Sequence, residues 1–286
     1  LFEGTLIGGF AFFAANTLSE MGGIDVNWMI IAIGGMILIW VLTYFDISVA
    51  AVVLGVTLVA EVLLLAAFAI SVAIKGGPDG FMVSETIAPM AAFANLEAGA
   101  FGSGVVAGTA ALGIFFAFWS WIGFETTAAY GEESKDPKRV IPRATMMAVV
   151  GLGVFYTFVS WMVVVANGAK TTVEVASGST GNPVDLWLVP VTENLGSLTT
   201  SFYRVLLVIG SFACAMAFHN AASRYLFALG RELPFTSVRN KLSSTHPKHQ
   251  SPAVASTVVT VLNIVMVMLF ATFSTAWTSD PSVEGA

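Results

Sequence analysis

Long apolar runs alternate with short polar breaks along the whole chain, and seven such runs can be marked: about 2–18, 28–45, 47–74, 105–130, 144–166, 201–229 and 252–277. A helix of about 20 residues rises ~1.5 Å per residue and crosses the ~30 Å hydrocarbon core of a bilayer, so runs of this length predict transmembrane helices. The breaks are uneven. The first, Ser19 to Asn27, carries Glu20 and Asp25; the second is Asp46 alone, which forces runs two and three to be antiparallel neighbours. A long Gly- and Ala-rich stretch from Lys75 to Gly104 carries Asp79, Glu85 and Glu97. Between runs five and six, Asn182 to Leu195 has the pattern of an amphipathic surface helix. The expected fold is all-α and polytopic, with about seven transmembrane helices.

Composition points the same way. Of 286 residues 56% are hydrophobic and 10% charged, with a mean hydropathy of +0.83. That leaves too little polar surface to coat a soluble globule of this size. The net charge of −6 says less than where the cations lie, because nine of the 12 Lys and Arg fall in two places. One holds Lys135, Lys138, Arg139 and Arg143; the other holds Arg224, Arg231, Arg239, Lys241 and Lys248. Alternating sides through the seven runs puts both on one face and the acidic breaks on the other. By the positive-inside rule, loops 131–143 and 230–251 are then cytoplasmic, the first run enters from the cytoplasm, and the tail TSDPSVEGA lies outside. The single Cys214 sits in an apolar run, excludes a disulfide within the chain, and is expected as a small core residue. The chain opens on Leu1 inside an apolar run and has no signal peptide, which is expected of an internal fragment.

Chemistry concentrates in the fourth run. Trp119-Ser120-Trp121-Ile122-Gly123-Phe124-Glu125 places a carboxylate and a glycine among bulky aromatics inside a bilayer-length segment. An embedded carboxylate costs on the order of 2.5–3.5 kcal/mol by insertion scales, so Glu125 should face protein interior or a wet cavity. Gly123 is a poor helix former there. Together they describe a broken helix whose freed backbone groups can hold a small polar solute.

The order FWSWIGFETTAAYGEESKDPKRVIPRAT, from Phe118 to Thr145, resembles the sixth span and following loop of the amino acid–polyamine–organocation permeases. A second stretch, HNAASRYLFALGRELP (219–234) followed by HPKHQSP (246–252), is similar to the eighth span of that family and the loop leading to its ninth. The resemblance implies an inverted-repeat transporter fold of five plus five helices, of which this chain would hold spans three to nine of twelve, a partial permease domain over 1–286. It also implies that the family's glycine-rich broken first span, which grips the substrate's carboxylate and amino groups, has no counterpart in this chain. The missing spans of the parent chain are then required partners, and the fragment alone is not expected to transport.

Within that pattern the resemblance sets Trp119 and Ile122 against substrate, and gives Glu125 the part of closing and holding the unwound segment, with a share in coupling. The substrate-binding set is Trp119, Ser120, Trp121, Ile122, Gly123 and Glu125. Each has a bland alternative: the rings as core or lipid-facing residues, and Glu125 as a simple cap on freed amides. Glu61, mid-way along VTLVAEVLLLAAF, lies where a cationic amino acid branch of the family resembles this chain but carries a lysine. The reversed charge turns that position toward carrying a proton, against the alternative of a structural hydrogen bond. His219 is the third proton-coupling candidate beside Glu61 and Glu125, against a plain interhelical hydrogen bond.

There is no phosphate loop, no HExxH and no Cys/His cluster, so no metal and no cofactor are expected, and the basic residues do not interleave with aromatics as nucleic-acid binding requires. The expected function is a secondary active permease of the plasma (inner) membrane. It moves an amino acid or related amine by alternating access with proton coupling, its partners being substrate, protons and lipid. A transporter-like receptor without turnover is the alternative. An intramembrane enzyme would need a nucleophile and base such as Ser120 and His219.

Overall fold

The structure of the chain is a computed structural model and describes residues 2–45, 47–81, 83, 115, 117–130, 134–176, 182, 184–247 and 251–278. The first part of the fourth run, Glu85, Glu97, residues 131–133 and the tail from 279 lie outside the described residues. Among the described residues every regular element is helical. In order these are α1 (Phe2–Gly22), α2 (Trp28–Phe45), α3 (Ile47–Lys75), a 3-10 helix (Phe124–Tyr130), α4 (Pro137–Asn167), α5 (Ala169–Ala176), α6 (Asp185–Leu195), α7 (Ser197–Glu232), α8 (Thr236–Leu242) and α9 (Ala253–Thr278). An all-helical answer follows from the solvent: in hydrocarbon every backbone N–H and C=O must bond within its own segment or a closed barrel. Among the described residues four helical stretches are long and apolar enough to cross a membrane, Leu54–Lys75, Pro137–Asn167, Ser197–Glu232 and Ala253–Thr272, and Trp28–Tyr44 is a shorter apolar one. Among the described residues the chain is thus all-α and polytopic.

Several helices outrun the apolar segments that predict them. α4 begins at Pro137 rather than near Ala144, because a proline in the first turn needs no N–H partner and brings a helical φ ready-made. Lys138 and Arg139 consequently sit on its first turn instead of in a free loop. α7 runs 36 residues, with Arg231 in its last turn.

The chain divides into two compact units. Unit one comprises Leu1–Glu61 and Arg204–Ala286, so it holds α1, α2, the first half of α3, most of α7, α8 and α9. Its core is a cluster of Ile7, Ala11, Met36, Ile39, Met216 and Val267 with smaller neighbours. Phe10 stacks edge-on against Phe212 at 5.4 Å, and the Trp40 indole donates to Thr257 Oγ1 at 3.0 Å, tying α2 to α9. Arg204 donates to Asn16 at 3.1 Å, which anchors one end of α7 to α1. Cys214, expected in the core, is exposed: its position on α7 turns away from that cluster.

Unit two comprises Val62–Tyr203. Here α4 packs on α6, with Asn167 donating to the Leu186 carbonyl at 3.0 Å and Phe68 of α3 lying 6.5 Å from the Trp187 ring. A side chain on Gly77, just past α3, would overlap the Val165 carbonyl of α4, so only glycine lets these two backbones meet. The expected surface helix at 182–195 is α6, but Leu188, Pro190 and Val191 are buried, so one face belongs to the unit's interior. In both units large apolar side chains point outward, among them Val56, Leu58, Leu63, Met147, Val154 and Phe270. Such surface would drive aggregation in water and costs nothing against lipid tails.

Candidate functional site

The fourth run is a broken helix where described. Residues 117–119 are helical, 120–123 form a turn, and the chain resumes as the 3-10 helix at Phe124. Through the break the amides bond three residues back: Trp121 to Phe118, Ile122 to Trp119 and Thr126 to Gly123, each at 3.1 Å. The cause is Gly123, whose φ of 111° lies in the region that side chains disfavour. Its own N–H, orphaned by the break, donates to Glu125 Oε2 at 3.0 Å, and Thr126 Oγ1 returns a bond to the Gly123 carbonyl at 2.6 Å. Glu125 therefore caps the amide freed at Gly123. Beside the break, Thr127 Oγ1 meets Thr145 Oγ1 of α4 at 2.7 Å, and the Trp121 ring lies so close to α4 that a Cβ on Gly153 would come within 2.9 Å of it.

Of the six residues expected to bind substrate, Ser120 and Glu125 are exposed, while Trp119, Trp121, Ile122 and Gly123 are half-buried. The Trp119 ring lies 5.8 Å from Phe115. All six stand on one short stretch of unit two, held by α4 from behind.

Glu61 and His219 belong to unit one. Glu61 is half-buried, and its Oε1 is buried without a hydrogen-bond partner among the described residues. That oxygen lies against α7 at Gly210, where an added Cβ would collide with it. Gly210 is thus the gap in α7 that the carboxylate occupies. Gly210→Ala is expected to push the carboxylate aside and to change the same property that Glu61→Gln changes, in the same direction and to a smaller extent. Uptake measured against pH for the two variants checks this. If Gly210→Ala leaves uptake untouched at every pH while Glu61→Gln does not, the close approach is irrelevant to Glu61.

His219 is fully buried on α7 and engaged at both ring nitrogens. Nδ1 lies 2.7 Å from Glu3 Oε1 on α1, and Nε2 lies 2.8 Å from Ser256 Oγ on α9. Both ring nitrogens therefore have partners within unit one. Glu3 and Ser256 were not singled out from the sequence. The signal was present for Glu3, an acid in the first turn of an apolar run, since ionisable residues inside a membrane segment are costly and need a reason. Ser256 had no such signal, because serine is common inside transmembrane helices.

A family model described as amino acid permease matches residues 2–280. A serine/threonine exchanger of Bacillus subtilis is 26% identical over 164 residues, 57% of this chain and 34% of the relative. A branched-chain amino acid permease of the same organism is 28% identical over 155 residues, 54% of this chain and 30% of the relative. An amino-acid permease of Neurospora crassa is 28% identical over 160 residues, 55% and 28% of the two chains. The chain spans about a third of the length of the curated relatives it matches.

Proposed function

The chain belongs to the amino acid permease family and is an integral membrane protein, and on that premise we propose that it forms part of a secondary active transporter, not an enzyme, that moves an amino acid or related amine across the membrane by alternating access. The observation that carries the reading is the break at Ser120–Gly123. A bilayer-length run interrupted at a glycine, with its orphaned amide capped by an intramembrane acid, presents backbone dipoles and aromatic faces to a zwitterionic solute. Trp119 and Trp121 supply rings that close over an aliphatic or cationic part, worth ~0.5–2 kcal/mol when desolvated. Ser120, Ile122 and Gly123 supply the near surface, and Glu125 keeps the segment unwound and gives it negative character. Coupling is to protons, with Glu61, Glu125 and His219 as the carriers to be separated. Loops 131–143 and 230–251 face the cytoplasm of a plasma (inner) membrane, on the strength of their basic residues.

The test is uptake of a radiolabelled amino acid panel by the full-length protein in proteoliposomes, with and without an imposed pH gradient. Uptake of at least one amino acid and its exchange for internal substrate are expected; a protein that binds an amino acid and never moves it defeats the reading. Glu61→Gln is expected to lose gradient-driven accumulation. Equal loss of driven uptake and of exchange would take the proton role away from Glu61 and leave it a packing residue.

A further inference from the structure

Unit one contains a polar centre made by three helices that the broken segment does not explain. Glu3 of α1 is 5% exposed, and His219 of α7 and Ser256 of α9 are both fully buried. They bond in line, carboxylate to imidazole at 2.7 Å and imidazole to hydroxyl at 2.8 Å. The surroundings are short of charge. α2 and α9 carry no Asp, Glu, Lys, Arg or His; α1 adds only Glu20 near its far end; the described part of α3 in this unit adds Glu61; α7 adds Arg204, Arg224, Arg231 and Glu232, the nearest in sequence being Arg224, five residues beyond His219.

From this geometry, and resting on the transporter reading above, we infer that Glu3 and His219 jointly hold a coupling proton, separate from any that Glu61 carries, with Ser256 as the positioning residue that fixes the imidazole. Charge balance is the reason. With one proton on the pair, whether written as carboxylate and imidazolium or as carboxylic acid and imidazole, the centre is net neutral. Removing that proton leaves a lone buried negative charge, and adding a second leaves a lone buried positive one; both are costly away from water. A pair that shares a proton titrates as a pair and not as two residues. The proton therefore stays while the three helices are packed and leaves when water reaches them. Glu3 Oε2, Asn220 Oδ1 and Ser223 Oγ, all buried without a partner, are the places where arriving water is first held. Ser223 lies one turn from His219 on α7, on the same face. Ser256 Oγ, donating to or accepting from Nε2, keeps Nδ1 aimed at Glu3 in either state.

Two readouts on the full-length protein test this. The first is transport against external pH for wild type, Glu3→Gln, His219→Gln and the double variant, each checked for a cooperative thermal melt. Both singles are expected to flatten the pH profile alike, and the double to flatten it no further, since one shared proton can be lost only once. A wild-type profile in a folded Glu3→Gln protein, or additive effects in the double, overturns the inference. The second readout needs no transport: histidine nitrogen NMR of the detergent-solubilised protein, with His219 assigned by its loss in His219→Gln. The His219 ring-nitrogen signals are expected to shift when Glu3→Gln or Ser256→Ala, whichever folds, removes a hydrogen-bond partner. A His219 Nδ1 signal that Glu3→Gln leaves unchanged overturns the shared proton. A protein that passes the second readout and shows neither uptake nor exchange refutes the transporter reading instead, and with it the assignment of this proton to coupling.

Discussion

His219→Leu is expected to lower the stability of the folded protein by about 3–5 kcal/mol, the range for removing one partner of a buried charge-bearing pair. The leucine fills the space, so loss of packing is not the main effect. What remains is a Glu3 carboxyl group with Oε1 newly orphaned at 5% exposure, alongside an Oε2 that already has no partner, and a Ser256 hydroxyl without its acceptor or donor. Each orphaned buried polar group carries its own desolvation cost, about 1–3 kcal/mol for a neutral one. The companion variant separates this cause from a generic core lesion. Glu3→Leu combined with His219→Leu removes the stranded carboxylate and is expected to be more stable than His219→Leu alone, because replacing a whole buried polar pair by apolar groups is often neutral. Chemical unfolding in detergent micelles, followed by tryptophan fluorescence, measures both. A single variant as stable as wild type, or a double variant that is worse than the single by the sum of two lesions, removes the energetic role given to this pair.

Gly123→Val is expected to reduce amino acid uptake about 5- to 150-fold, the rate equivalent of the ~1–3 kcal/mol needed to hold a branched residue in a disfavoured backbone region. The φ of 111° at Gly123 is what turns the chain between Ser120 and Phe124, and it aims the Gly123 N–H at Glu125. A valine relieves its strain by returning the segment toward continuous helix. That withdraws the backbone dipoles the substrate needs and leaves Glu125 with no amide to cap. Gly151→Val on α4 is the control: it adds the same side chain to a helical glycine with open space around its Cβ position, and uptake should be close to wild type. If Gly123→Val transports as well as Gly151→Val, the break at this residue is not part of the substrate site.

The break was legible because its cause is local. A glycine, two tryptophans and a glutamate within seven residues conflict with an uninterrupted transmembrane helix, and the conflict resolves within the same seven residues. The helix ends were less so: α4 starts seven residues before its apolar run because Pro137 is a good first residue, a capping effect that hydropathy does not register. Cys214 was placed in the core by residue type, yet it faces outward, because type alone does not say which side of a lipid-bathed helix a residue occupies.

From sequence alone came the membrane class, the all-helical architecture, the family, and the short stretch in which chemistry interrupts packing. Each rests on contiguous residues whose cost in hydrocarbon can be judged without knowing what lies beside them. Only the tertiary structure decided that His219 is joined to Glu3 and Ser256, 216 and 37 residues away along the chain, and that the Glu61 carboxylate occupies the gap at Gly210. A soluble helix announces its inner face by a stripe of apolar residues, whereas α3, α7 and α9 are apolar around most of their circumference, because lipid accepts the outside as readily as the core accepts the inside. With that periodic signal absent, the sequence shows which polar residues must find partners, and only the packing of the helices shows which partners they find.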